Sequence, residues 1–111
     1  MRIKRDSPEG LNRETVDLLK TAMRTGYRHL DTADLYRNMN EVGVAIQESI
    51  AEGVIQGRED LYIVTKITDD FSNIHKHLDE DLQTLGVEYV DLYVISPGGD
   101  YIIYTHIEKL T

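Results

Sequence analysis

An α/β fold with a parallel sheet is predicted by three observations. Apolar residues at helical spacing alternate with short runs of strand composition. The segments between successive runs are long enough for helical crossovers, which parallel pairing requires. Each run ends on a polar residue at its carboxyl side, the end at which a (β/α) barrel carries its chemistry. The order α, β, α, β, α, β, with the beginning of a further helix, is that of a partial TIM (β/α)8 barrel: three parallel strands alternating with three to four helices. A closed barrel needs roughly 250 residues, and this chain has 111. It therefore reads as one incomplete domain over residues 1–111, with no internal linker and no repeat beyond the βα alternation.

The first eleven residues, with Ser7-Pro8 and Gly10, read as a leading loop, because proline disfavours helix in the residue before it. Asn12 is placed to cap a helix carrying Val16, Leu19, Ala22 and Met23 on one side, and Gly26 stops it. Tyr27 to Ala33 follows as a strand. Its parity sets His29 and Asp31 on one face and Arg28, Leu30 and Thr32 on the other. Asp34 to Asn40 is a loop containing Tyr36. Val42, Ala45, Ile46, Ser49 and Ile50 then mark a second helix closed by Gly53. The turn Gly57 to Asp60 leads into L-Y-I-V-T-K-I, a strand with Tyr62, Val64 and Lys66 on one face. A third helix begins near Ser72, aligns Ile74, Leu78, Leu82 and Leu85, and ends at Gly86. Val90 to Ile95 is the third strand, broken by Ser96-Pro97-Gly98-Gly99. Tyr104 to Thr111 is read as the opening of another helix.

Composition excludes several classes. Twelve basic against twenty acidic residues give a formal charge of -8, which removes the electrostatic footprint for nucleic acid or an anionic membrane. There is no cysteine, hence no disulfide and no thiolate chemistry. No apolar run approaches the ~20 residues of a membrane span and the N-terminus lacks a leader's apolar core, so a soluble, cytoplasmic protein is expected. His75 and His77 stand two apart on a helix, facing different directions, and read as surface residues; no metal site is assigned. Asp79-Glu80-Asp81 reads as a solvated helix face.

One constellation carries chemistry. Asp31 and Lys66 lie at strand ends and Tyr36 in the loop after one of them, all on one rim. Reduction of a carbonyl by hydride needs a proton for the oxygen, and a phenol with a pKa near 10 is a weak donor at neutral pH. An ammonium beside it favours the phenolate, and a carboxylate keeps the ammonium charged and in place. Each residue also has a plainer reading: the Asp caps a loop, the Tyr packs its ring, the Lys points to water. Spacing alone leaves both open.

Four blocks in order carry a resemblance: G-Y-R-H-L-D-T-A from Gly26, N-x-x-E-V-G-x-A-I over Asn38 to Ile46, R-E-D-L-Y-I-V-T-K over Arg58 to Lys66, and L-x-x-L-G-V-x-Y-V-D-L-Y over Leu82 to Tyr93. From about Glu14 to Ile95 the chain resembles the aldo-keto reductases, which reduce carbonyls with NADPH on a (β/α)8 barrel. The resemblance implies Tyr36 as general acid, Lys66 as the group tuning it, and Asp31 as holding Lys66 and lying near the nicotinamide ribose. It also implies a small aldehyde or ketone as substrate. Three departures accompany it. The family's fourth strand typically reads D-L-Y-L-I-H-x-P, where this chain has D-L-Y-V-I-S-P, so its histidine is replaced by Ser96 or deleted. Met39 stands where Glu is usual. The first barrel strand and the second half, which supplies most cofactor contacts, have no counterpart here. A non-catalytic half-barrel acting by association is the alternative reading.

Three strands cannot close a barrel. Tyr62, Val64, Leu92 and Val94 are expected on an open face, where at about 1.5 to 3 kcal/mol each they forfeit ~6 to 12 kcal/mol of burial. Self-association through open sheet edges is the expected consequence.

Overall fold

The computed structural model describes residues 11–32, 38–67 and 73–95, and the backbone of 102–108. Helix α1 spans Arg13–Arg24. Its cap is the one the sequence predicts: the Asn12 side chain accepts from the Thr15 N–H at 3.2 Å, satisfying a donor that the first turn leaves without a helical partner. Strand β1 is short, His29–Asp31. Helix α2 covers Met39–Ala51, a single 3-10 turn covers Arg58–Asp60, and strand β2 runs Tyr62–Ile67. Helix α3, Ile74–Leu85, is capped by Asn73, whose side chain accepts from the Lys76 N–H, and is closed by Gly86 in the left-handed conformation at φ 70°. There a side chain would be strained and glycine is not. Strand β3 is Tyr89–Ile95.

β1, β2 and β3 lie in sequence order, and both pairings are parallel. The expected α/β arrangement of three parallel strands and three helices is therefore what forms. Leu30, Ile63, Ile67, Tyr93 and Ile95 turn their side chains to a core shared with Val16 and Met23 of α1, Ala45 and Ile46 of α2, and Leu78, Leu82 and Leu85 of α3. The period-2 strands and the helical stripes meet there, which is why both periodicities were legible. At Gly43 the α2 backbone comes so close to α3 that a Cβ would stand 2.6 Å from the Thr84 carbonyl oxygen and 2.9 Å from that of Leu85.

Two expectations are corrected. The segment read as a nascent helix is instead strand β4, Ile102–Glu108, paired antiparallel to β3 with Ile95 opposite Ile102 and Tyr89 opposite Glu108. The physical reason is non-local. The free edge of β3 offers unpaired N–H and C=O groups, and I-I-Y-T-H-I has the β-branched and aromatic composition that suits a pleated ladder. The second correction concerns the open face. Val64 is buried and Leu92 and Val94 are half-buried, whereas Tyr62 is exposed. Val64 sits mid-sheet, with Asp31 opposite on one side and Leu92 on the other, so cross-strand neighbours shield it. Tyr62 lies at the start of its strand.

Candidate functional site

β1 and β2 place the site. Asp31 is opposite Val64 in the parallel register, and Lys66, two residues further along β2, returns to the same face. Its Nζ donates to Asp31 Oδ1 at 2.5 Å. The Lys66 side chain is 27% exposed and that of Asp31 54%: the amine is set into the sheet and the carboxylate faces outward. Asp31 Oδ2 has no hydrogen-bond partner among the described residues. The face thus presents, at the carboxyl ends of parallel strands, a fixed ammonium and a carboxylate oxygen able to accept from a hydroxyl. At the other end of the same strands the rings of His29 and Tyr62, opposite one another in register, lie 5.1 Å apart at a tilt of 49°.

Of the predicted constellation, the fold brings together Asp31 and Lys66. Tyr36 and Ser96 lie outside the described residues. Met39, where a Glu was expected from the resemblance, opens α2 with its side chain in the core; an apolar residue suits that position. Glu41 of the same block is fully buried and accepts the Asn12 N–H at 3.2 Å, tying the start of α1 to α2.

Two constellations were not singled out in the sequence. Arg58 donates to Asp91 Oδ2 at 2.6 Å, to the carbonyls of Leu61 and Tyr89, and lies over the Tyr89 ring at 3.9 Å. The same Asp91 oxygen accepts the Ile63 N–H, so the turn before β2 is fastened to β3. Across α1 and α2, Lys20 bridges Glu48 at 2.9 Å and Glu52 at 2.5 Å, Arg13 grips Glu48 with both terminal nitrogens, and Arg24 reaches Glu52. The bonds from Arg13, and then Lys20, draw the Glu48 carboxyl down to about 2. Lys20 and, to a lesser degree, Arg24 likewise hold Glu52 below the carboxylate range. Lys20 is pushed up by Glu52 first and Glu48 second. The signal for this ladder was present as Lys20/Arg24 and Glu48/Glu52, two pairs at i,i+4, but pairing the helices requires knowing that they pack together.

On the helix layer an open groove of about 640 Å³ runs between α2 and α3, past Asn40, Gln47 and Thr84; neither Asp31 nor Lys66 lines it. No group of three His, Asp or Glu side chains converges among the described residues. No described helix is long and apolar enough to cross a membrane.

The model of the Aldo/keto reductase family matches residues 1–97, nearly all of the chain. The chain belongs to the aldo-keto reductase family. It is 44% identical over 85 residues to aldose reductase B of Dictyostelium discoideum, covering 74% of this chain and 27% of that protein. To aldo-keto reductase family 1 member D1 of Rattus norvegicus it is 43% identical over 91 residues, 79% of this chain and 28% of the relative. The crystal structure of the Bombyx mori aldo-keto reductase AKR2E4, in complex with NADP, superposes with a TM-score of 0.70 at 35% identity, over 80% of this chain and 30% of that one. The chain thus spans somewhat over a quarter of the length of the curated relatives it matches. Its three parallel strands and three helices are part of the TIM barrel of these oxidoreductases.

Proposed function

We propose that this chain carries the proton-handling side of an aldo-keto reductase active site, acting in the NADPH-dependent reduction of an aldehyde or ketone to an alcohol. The observation that carries the reading is the contact between Asp31 and Lys66 on one face of adjacent parallel strands. With its carboxylate more than half exposed, the pair adds little to stability, so the reading rests on its position at the carboxyl ends of the strands and not on packing. NADPH supplies a hydride to the carbonyl carbon when bound. The residues present suit one end of it: Asp31, whose Oδ2 has no hydrogen-bond partner among the described residues, would accept from a hydroxyl of the nicotinamide ribose. Tyr36 is the general acid, giving its phenolic proton to the carbonyl oxygen as negative charge builds. Lys66 stands by to stabilise the phenolate left behind, and Asp31 keeps its ammonium oriented.

A second reading, a non-catalytic half-barrel acting through association, is favoured by one feature. β4 covers, in antiparallel sense, the edge of β3 at which a parallel barrel would continue. Fluorescence titration with NADPH and turnover of a small aldehyde separate the two. Under the reductase reading the chain quenches or shifts NADPH emission and turns over aldehyde, and Tyr36→Phe removes turnover while leaving binding. Activity that survives Tyr36→Phe excludes this tyrosine as the acid, and absence of both binding and turnover favours the second reading.

A further inference from the structure

We propose that β1 and β2 hold a single buried water molecule between the hydroxyls of Thr32 and Thr65, on the side of the sheet opposite the Asp31–Lys66 pair. The inference stands apart from the reductase reading and rests on two buried polar groups that the described residues do not satisfy. Asp31 is paired with Val64, and the Thr32 N–H continues the ladder by donating to the Val64 carbonyl at 2.7 Å. Thr32 and Thr65 therefore stand side by side. Strand alternation turns Thr32 to the face of Leu30 and Thr65 to that of Ile63 and Ile67, and these apolar neighbours belong to the core. Both threonines are 0% exposed, and neither Oγ1 has a hydrogen-bond partner among the described residues.

Buried hydroxyls without a partner are rare, because their loss of hydration then goes uncompensated. Two of them at adjacent register positions point to one shared occupant. Neighbouring strands run about 4.8 Å apart, and hydroxyls that do not reach each other across that spacing are bridged by a water making two hydrogen bonds of about 2.8 Å. Chemistry selects water over other small occupants. Each threonine hydroxyl both donates and accepts, which an apolar occupant cannot answer, and neither carries a charge to offset the burial of an ion. Position gives the site a use. Asp31 ends a strand of only three residues, so a bridge beside the Thr32–Val64 bond adds a link between β1 and β2 at the level where Asp31 and Lys66 meet on the other face.

Oxygen-17 relaxation dispersion of the solvent counts the long-lived waters held by the whole chain, and hydroxyl protons do not enter it. The wild type is expected to hold at least one, and Thr32→Val combined with Thr65→Val to lower the amplitude by that of a single water. Valine matches threonine in shape and in strand preference, so the melting temperature gives an independent sign. Each single substitution should lower the Tm by about 4 to 8 °C, since it removes one partner of the water and leaves the other hydroxyl unmet. The double variant should lose less than the sum of the two. No long-lived water in the wild type, an undiminished amplitude in the double variant, a single valine variant that melts at or above the wild type, or losses that simply add would each overturn the proposal.

Discussion

Replacing Gly43 by alanine sets two effects of opposite sign against each other, and the structure decides between them. Gly43 lies inside α2, where glycine costs about 1 kcal/mol relative to alanine, so a reading of the helix alone predicts that the substitution stabilises. In the folded chain the new Cβ would stand 2.6 Å from the Thr84 carbonyl oxygen and 2.9 Å from that of Leu85, both well inside van der Waals contact. Neither oxygen belongs to a side chain that can rotate away. Both are backbone atoms at the end of α3, held beside Gly86, whose own carbonyl accepts from Gln47 Nε2 at 3.1 Å. Relief requires α2 and α3 to separate. Overpacking of this kind costs about 3 kcal/mol at the upper end of the usual range, leaving a net loss of about 2 kcal/mol after the helix gain. At about 4 to 8 °C per kcal/mol for a domain near this size, the Tm should fall by about 8 to 16 °C. Thermal unfolding followed by circular dichroism measures it directly. A Gly43→Ala chain that melts at or above the wild type would show that the two helices do not approach as described, and would refute the reasoning.

Three further outcomes are expected. Because Arg13 and Lys20 draw the Glu48 carboxyl from its ordinary 4.5 to about 2, the stability it contributes is complete above pH 4.5 and is lost as pH falls toward 2; in Glu48→Gln the Tm should change less with pH across that window. Arg58→Ala deprives Asp91 and two carbonyls of a partner whose side chain is only 12% exposed and should cost about 3 kcal/mol in urea unfolding, with Arg58→Lys rescuing only part of it because lysine lacks the planar fork. Asp31→Asn breaks a pair whose carboxylate is more than half exposed and should change stability by less than about 1 kcal/mol, while any aldehyde turnover falls at least tenfold; equal loss of both would make the pair structural.

The local elements were legible in the chain because local physics produces them. Asn12 caps α1, Gly86 ends α3 in a conformation that favours glycine, and the alternation in L-Y-I-V-T-K-I sends Ile63 and Ile67 to the core while Lys66 takes the other face. Parity alone grouped His29 with Asp31 in one strand and Tyr62 and Val64 with Lys66 in another, which is as far as spacing reaches; that the two groups share a face, and that Asp31 and Lys66 touch, depends on the register of β1 against β2. What only the tertiary structure decided is long-range. The run Ile102–Glu108 has strand-like composition, but seven residues name no partner; that they pair, and in antiparallel sense, was decided by the free edge of β3. The ion pairs of Lys20 and Arg13 with Glu48, the anchoring of Arg58 on Asp91, and the sign of the Gly43 substitution all join residues roughly thirty or more positions apart. Such contacts depend on how helices and strands stack, and no periodicity within a single element encodes that.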